Sequence, residues 1–376
     1  MAAKVGKRLD RRTLGRLRLA SQRLLPLYTV PQQSPSAASI AETVRWMTAM
    51  QAQDLQAAIW AVGVRVPGAG LADIRSALDS GAVVRSWPMR GTLHLVAPED
   101  LHWMLDLTAE RLTKGIAARH RELGIAWADI EKCRDLALER VAGGGSVSRA
   151  ELFQIFDAAG QPTQGQRGIH ILGTLCRHGW LVQGPLAGNQ QLLVDFESWI
   201  PVSRRLERQE AIAEFALRYF RSHGPATIRD FAWWTQIPLT EVRAAFEDVK
   251  DQLVELEFEG TSYWLSPETA SLLDGGVPGQ RSVLLLPGFD EFVLGYTDRS
   301  LVLKPEYFNK IVPGGNGVFK KTVVAGGEVI GTWARAGTRA SAAVVPELFD
   351  ESKPLGVTAL AAFTRAAQRY EAFLVS

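Results

Sequence analysis

Two glutamines stand where apolar residues would be expected. In the stretch MTAMQAQDLQAAIW (47–60), Gln51 and Gln53 interrupt a stripe of apolar side chains that recurs at helical spacing. A side-chain amide donates and accepts hydrogen bonds without carrying a charge. Two amides brought to one place could therefore hold a water molecule and present a dipole to a developing charge. The stripe comprises Ile40, Val44 and Met47 before the pair and Leu55, Ala58 and Ile59 after it.

The spacing of the two glutamines limits how they can cooperate. Residues two apart do not share a helix face, but they point the same way in an extended segment. Asp54 is a good N-cap for the helix that follows, so we predict helix, short extended break and helix, with Gln51 and Gln53 projecting together. The structural alternative is an amide that bonds free carbonyls at a helix end or faces water.

A second candidate region is RSWPMRGTLHLV (85–96). Strand alternation places Arg90, Thr92 and His94 on one face. We interpret the segment as a hairpin wing whose Arg85, Arg90 and His94 contact DNA phosphate or sugar. The alternative is a polar outer strand face.

The stretch GFDEFVLGYTDRS (288–300) concentrates acidic residues. We predict that Asp290 and Glu291 form a buried hydrogen-bonded network with Arg299, and that Tyr296 lines a DNA cleft. A metal site is a poor alternative, because clustered His or Cys ligands are missing from this stretch, and we expect no metal and no cofactor.

The helix predicted near 166–178, QGQRGIHILGTLCRH, holds a further pair of candidate DNA contacts. Leu172 and Leu175 must face the core, which leaves Arg167 or His170 for solvent or DNA, with Arg177 at the helix end. A third helix of this kind commonly reads the major groove. We therefore predict DNA contacts by Arg167 and Arg177.

Composition narrows the class of protein. The chain has 376 residues, 47% of them hydrophobic, and a formal net charge of +2, which is typical of a globular protein. No apolar run is long enough to span a membrane. The two cysteines, Cys133 and Cys176, lie in apolar helical patterns, so we expect small core residues in a reducing, cytoplasmic compartment. The basic N-terminus predicts an amphipathic helix that docks or touches phosphate, with a transit peptide as the alternative; its charged residues are Lys4, Lys7, Arg8, Arg11, Arg12, Arg16, Arg18 and Arg23, against Asp10.

The elements that must position these residues follow a repeated plan of three helices and a β-hairpin, typical of a winged helix. We predict three tandem winged-helix units at 1–128, 129–200 and 201–273, and a β-rich segment with a closing helix at 274–376. The fold class is mainly α with β-hairpins (α+β). Capping boxes at Ser148 and Glu151 and at Thr227 and Asp230 mark two helix starts.

Four segments in order and spacing identify a family resemblance: MQAQDLQAA, VRSWPMRGTLHLVAPEDL, LLLPGFDEFVLGYTDRS and GEVIGTWAR. Together they resemble the AlkZ/YcaQ family of winged-helix DNA glycosylases over nearly the whole chain. The family's fold is a C-shaped array of three winged-helix units with a β-rich C-terminal part. Its catalytic signature is Gln–apolar–Gln or Gln–apolar–Asp, and Gln51–Ala52–Gln53 matches the first form, that of the AlkZ branch.

The resemblance implies the reaction. We expect a monofunctional DNA glycosylase that hydrolyses the N-glycosidic bond of N7-alkylated purines and unhooks azinomycin-type interstrand crosslinks, with Gln51 and Gln53 as catalytic residues. The expected partner is double-stranded DNA with alkylated or crosslinked purines, bound by a monomer, with no membrane partner. The rival interpretation is a non-catalytic winged-helix transcription regulator.

Overall fold

The chain is mixed helix and strand, as predicted. The structure, a computed structural model, describes residues 9–25, 35–337 and 343–376. The helices are α1 (Arg11–Ser21), α2 (Ala37–Met47), α3 (Leu55–Gly63), α4 (Leu71–Asp79), α5 (Pro98–Glu122), α6 (Trp127–Val141), α7 (Arg149–Ala158), α8 (Arg167–Arg177), α9 (Phe196–Trp199), α10 (Arg208–His223), α11 (Ile228–Thr235), α12 (Leu239–Phe246), α13 (Pro267–Ala270), α14 (Leu272–Gly275), α15 (Glu291–Leu294), α16 (Phe308–Ile311) and α17 (Val357–Val375). The strands are β1 (Met50–Gln51), β2 (Val84–Met89), β3 (Thr92–Val96), β4 (Ser146–Val147), β5 (Leu181–Ala187), β6 (Gln190–Asp195), β7 (Val254–Phe258), β8 (Thr261–Leu265), β9 (Val283–Leu286), β10 (Thr322–Ala325), β11 (Glu328–Ala336) and β12 (Ala343–Leu348).

Local capping signals set two of the helix starts. The Ser148 hydroxyl accepts from the Glu151 backbone N–H, and the Glu151 carboxylate accepts from the Ser148 N–H in return. Thr227 and Asp230 make the same reciprocal pair at α11. Each box satisfies backbone donors that a helix start leaves free, so both predicted starts are confirmed.

The largest sheet has six strands in the order β1-β3-β2-β5-β6-β4. Strands β2 and β3 are joined by Arg90 and Gly91, whose φ angles of 56° and 67° make the left-handed turn that suits a tight hairpin. Strand β2 also pairs with β5, where Arg85 lies opposite Gln183. The two hairpins, predicted as separate wings, therefore form one continuous sheet.

The C-terminal strands form a second, antiparallel sheet in the order β12-β11-β10-β9. Gly326 and Gly327, at φ 58° and 90°, turn the chain between β10 and β11 in a tight hairpin. Strands β7 and β8 form a separate two-stranded sheet.

Three apolar clusters hold these layers together. The first joins α1–α4 to the C-terminal sheet and α17, where Trp60 packs against Tyr370 and Phe373. The second lies between α5 and α10–α12. The third fills the space between α6–α8 and the sheet, and contains Cys133 and Cys176 as free, buried thiols, as predicted. Each cluster draws residues from more than one of the predicted units.

Helix α1 docks against the body of the protein, one of the two roles predicted for the basic N-terminus. Leu14 and Leu17 are fully buried, and the Arg18 guanidinium donates to the Pro225 carbonyl at 3.0 Å while lying over the Tyr296 ring. Lys4, Lys7 and Arg8, and residues 26–34, lie outside the described residues.

The described part of the chain contains no helix that is both long enough and apolar enough to cross a bilayer.

Candidate active site

The predicted break between α2 and α3 is present. Thr48, at φ 68°, ends α2, and the chain then runs extended along β3, with Met50 opposite Leu95 and Gln51 opposite His94. The Ala52 N–H continues the pairing by donating to the Leu93 carbonyl at 2.7 Å. The extended geometry that two cooperating amides require is therefore supplied by pairing with a strand that comes about 40 residues later.

The Gln51 amide is buried and held from two sides. Its Oε1 accepts from Arg90 Nη2 and from Thr92 Oγ1, each at 3.1 Å. A guanidinium can only donate, so the atom facing Arg90 must be the amide oxygen. Both lone pairs of this oxygen are engaged, and the amide nitrogen, which donates to no described residue, is the group left for a further hydrogen bond.

The Gln53 side chain is exposed and has different bonding. Its Oε1 accepts a single hydrogen bond, 3.2 Å long, from the backbone N–H of Leu93. A carbonyl oxygen has two lone pairs, so one remains available to a water molecule. Gln53 is thus the better water acceptor of the pair, a distinction that the sequence did not reveal.

Asp54 caps α3, as predicted. Its carboxylate accepts from the Ala57 backbone N–H at 3.1 Å and satisfies one of the free donors at the helix start.

Arg90 and His94 form the wall behind Gln51. Arg90 Nη2 lies 3.0 Å from His94 Nε2, and His94 Nδ1 lies 2.9 Å from the Thr92 carbonyl. Arg90 donates, so Nε2 is the acceptor and Nδ1 carries the proton. Burial, aided by the Arg90 cation, lowers the pKa of His94 to about 3. His94 was predicted to contact DNA; it is fully buried, and its ring orients Arg90 instead.

Acid is expected to destabilise the fold through His94. Its folded pKa of about 3 lies below the usual 6.5, so the unfolded chain takes up a proton that the folded chain does not. The contribution of neutral His94 to the free energy of unfolding is therefore fully present above about pH 6.5. Each pH unit below that removes up to about 1.4 kcal/mol of it. Urea unfolding between pH 7 and 4.5 should show a steeper loss for the wild type than for His94→Gln, whose side chain does not titrate. Parallel losses would contradict the neutral, buried imidazole.

Glu291 holds the backbone of Gln51. It is the main site residue whose contact with the glutamine pair was not predicted. Its Oε1 accepts from the Gln51 backbone N–H at 2.8 Å, and its Oε2 accepts from the Trp234 indole at 3.0 Å. Burial alone would raise the pKa of this carboxyl, but nearby His223, 3.7 Å away, and the Arg90 cation outweigh it and bring the pKa down to about 2. A charged acceptor therefore anchors β1.

The acidic stretch is a buried hydrogen-bonded network, as predicted, but its arginine is a different one. Asp290 makes a two-pronged ion pair with Arg65, at 2.8 and 2.9 Å, and both side chains are almost fully buried. Arg299, the predicted partner, donates to the Val293 and Thr297 carbonyls instead. The sequence could not distinguish the two arginines because Arg65 lies 225 residues from Asp290.

Two predicted DNA contacts are internal supports, because their polar atoms are already bonded inside the protein. Arg85 Nε donates to the Ala52 carbonyl at 2.9 Å and Nη2 to the Gln53 carbonyl at 3.3 Å, so its guanidinium holds the backbone of the glutamine pair. Tyr296 is fully buried and donates to the His223 carbonyl at 2.6 Å. Neither presents a free group to DNA.

The two arginines on α8 that were predicted to contact DNA have different surroundings. Arg167 is buried and donates to the Pro162 carbonyl and to Gln161, with Asp129 3.2 Å away, so its predicted DNA contact is corrected to a structural role. Arg177 is also largely buried and donates to Thr174, but it borders a cleft together with the partly exposed His170. His170 was the alternative left open for this helix.

A cleft of about 710 Å³ opens beside Gln53. Its walls come from α3, α8 and the strands around β5 and β6, and of the three arginines that line it, Arg149 is exposed, whereas Arg85 and Arg177 are largely buried. No group of three or more His, Cys, Asp or Glu residues in the described ranges is placed to hold a metal ion. The exposed Arg149 offers a cation to an anionic ligand in the cleft, and Gln53 offers an uncharged acceptor to a water molecule.

Comparisons with known proteins found similar sequences and a similar solved structure. The model of a family described as DNA glycosylase AlkZ-like matches residues 44–373. An interstrand DNA cross-link repair glycosylase of Streptomyces sahachiroi is 28% identical over 322 residues, which cover 81% of this chain and 83% of that protein. The solved structure of the Streptomyces sahachiroi DNA glycosylase AlkZ superposes with a TM-score of 0.78 at 25% identity, covering 96% of this chain and 98% of the other.

Proposed function

We propose a function from the premise that the chain belongs to the AlkZ-like family of DNA glycosylases, whose model matches residues 44–373. The chain is therefore a DNA glycosylase. We propose that it hydrolyses the N-glycosidic bond of N7-alkylated purines in double-stranded DNA and unhooks azinomycin-type interstrand crosslinks, in repair and self-resistance. The choice of crosslinked DNA as substrate is supported by the similarity to a protein described as an interstrand DNA cross-link repair glycosylase.

The observation that carries the proposal is the extended segment, paired with β3, that bears Gln51 and Gln53, with Gln53 lining the cleft. Alkylation at N7 makes a purine cationic, so the base leaves as a neutral molecule and needs no proton from an acid. What remains is to place a water molecule and to stabilise the positive charge that develops on the sugar. An uncharged amide does this without an ion pair to the cationic base, which would stabilise the ground state.

The two amides take different roles in the proposed step. Gln53 Oε1, with a lone pair free, accepts a hydrogen bond from the attacking water. The water oxygen bonds to C1′ as the C1′–N9 bond breaks. The electron pair of the C1′–N9 bond passes to the cationic base and neutralises it, and the surplus proton of the water goes to solvent. Gln51, fixed by Arg90 and Thr92, donates from its amide nitrogen to an oxygen of the substrate.

The reaction is proposed to be monofunctional, leaving an abasic site without strand cleavage. Cleavage of the strand commonly requires an amine that attacks the sugar, and lysine is the usual source. The described residues that line the cleft include no lysine.

The fold is proposed to present duplex DNA to this site as a C-shaped array of winged helices. The segments 129–200 and 201–273 each contain three helices followed by a hairpin, α6–α8 with β5 and β6 and α10–α12 with β7 and β8. With 1–128 they would form three winged-helix units, and 274–376 the β-rich segment. Arg149 and Arg177, on the cleft wall, are the proposed phosphate contacts.

Asp54 is proposed to act as a cap and not as the base that activates water. We expect Asp54→Asn, which keeps the capping oxygen, to retain the single-turnover rate of base release within about twofold, whereas loss of a general base typically costs 10²-fold or more. Asp54→Ala should lower the free energy of unfolding by about 1 kcal/mol. A large rate loss in the Asn variant, with folding intact, would assign catalysis to Asp54.

Incubation with defined duplexes tests the proposed function. One duplex carries a single N7-methylguanine and another an azinomycin-type crosslink, and the readouts are free modified base and the unhooked strand. Base release followed by strand breakage only after alkali treatment supports the proposal. Tight binding without release from either duplex would favour the non-catalytic regulator.

A further inference from the structure

Trp233 is an exposed tryptophan that Arg90 links to Gln51. It lies on α11 next to Trp234, which is fully buried and bonded to Glu291, whereas Trp233 is 37% exposed. Exposure alone assigns it no role, because single exposed apolar side chains are common on protein surfaces. The two neighbouring tryptophans therefore differ: Trp234 bonds to Glu291 in the interior, and Trp233 is exposed to solvent.

Two cations flank the Trp233 ring. Arg90 lies 5.7 Å from the ring centroid and Arg299 5.1 Å. Both guanidinium carbons lie over the ring, at distances near the outer limit of a cation–π contact. Arg90 also donates to Gln51, so one guanidinium separates the exposed indole from the catalytic amide.

Arg299 is fixed in place by aromatic and backbone contacts. Its guanidinium lies 5.4 Å from the centroid of Phe308 and 5.3 Å from that of Phe319, and it donates to the Val293 carbonyl at 2.9 Å. Burial lowers its pKa to about 10, which leaves the group charged at neutral pH. A rigid cation beside a partly exposed indole is a combination that can recognise a nucleotide, with the base on the ring and the phosphate at the cation.

We propose that Trp233 is the stacking platform for a nucleobase next to the reacting glycosidic bond, with Arg90 and Arg299 as the neighbouring cations. This inference rests on the proposed glycosylase function and adds a binding residue to it. Stacking requires a base that is unstacked from its neighbour, which a damaged site offers more readily than an intact duplex. Stacking on Trp233 therefore strengthens the binding of damaged DNA, whereas phosphate contacts strengthen the binding of damaged and undamaged DNA alike.

Binding measurements separate stacking from a structural role. The probes are a duplex with one N7-methylguanine, stabilised against hydrolysis by a 2′-fluorine, and the same duplex without damage. We expect Trp233→Ala to weaken binding of the damaged duplex by roughly 10- to 100-fold and Trp233→Phe by only a few-fold, with binding of the undamaged duplex nearly unchanged. Trp127→Ala is the matched control, because Trp127 is also exposed but packs against His178 and Trp180.

A fluorescent base gives a second readout that folding alone would not change. With 2-aminopurine next to the lesion, the wild type and Trp233→Phe should change its emission on binding, and Trp233→Ala should not. Equal affinity of Trp233→Ala and wild type for the damaged duplex would overturn the inference, as would a wild type that does not prefer damaged DNA. Failure of the wild type to release base would overturn the proposed function instead, and the binding comparison would still judge Trp233.

Discussion

Replacing Gln53 with alanine is expected to lower the single-turnover rate of base release by roughly 10²-fold, the typical cost of removing one preorganised polar group. Gln53 lines the cleft, and its Oε1, held by the Leu93 N–H, keeps one lone pair free. Gln51→Ala is expected to cost a similar factor, because it removes the amide that Arg90 and Thr92 hold in place.

Gln56→Ala provides the matched control. Gln56 lines the same cleft three residues later, but it stands exposed on α3 and makes no hydrogen bond among the described residues. Its loss should leave the rate within about twofold, since it removes no preorganised group. The measurement is release of modified base with enzyme in excess, alongside circular dichroism to confirm folding. Unchanged rates in folded Gln51→Ala and Gln53→Ala would refute the assignment of the pair.

Replacing Asp290 with alanine is expected to lower the free energy of unfolding by roughly 3–5 kcal/mol, the usual result of leaving one charge of a buried pair without its partner. Arg65 would remain fully buried with two donors unsatisfied. Asp290 also accepts from the Phe292 N–H at the start of α15. That helix contains Glu291, which accepts from the Gln51 N–H in β1. The rate of base release should fall along with the stability.

The control for this change is Asp298→Ala in the same acidic stretch. Asp298 is exposed and accepts from the Ser300 N–H nearby, so its loss should cost about 1 kcal/mol or less. Guanidinium chloride unfolding at pH 7 provides the comparison. The double variant Arg65→Met with Asp290→Leu should lose less than the sum of its single changes, because it leaves no unpaired charge. Additive losses would show that the pair is not coupled.

Periodicity and capping were sufficient to predict the local course of the chain. The stop in the apolar stripe at Gln51, together with Asp54, predicted the extended break, and the capping boxes at Ser148 and Thr227 predicted two helix starts. These signals act over a few residues, because a cap bonds the third residue after it and an apolar face repeats every turn. The structure confirms all three.

Which polar groups remain free could not be read from the same signals. Arg85, His94, Arg167 and Tyr296 have residue types and strand or helix positions that suit a DNA contact, yet their polar atoms are bonded within the protein. A residue type states what a side chain can bond to, but burial and distant partners decide what it does bond to. Trp233 and Trp234 illustrate the same point, since neighbours in sequence differ completely in exposure.

The sequence by itself determined the glutamine pair, the extended break that carries it, the helix caps and the family resemblance. The tertiary structure decided that Gln51 is locked by Arg90 and Thr92 while Gln53 keeps an open lone pair, and that Glu291 anchors β1 from 240 residues away. Local patterns follow from backbone geometry over one or two turns, whereas these contacts exist only after distant elements pack and exclude water.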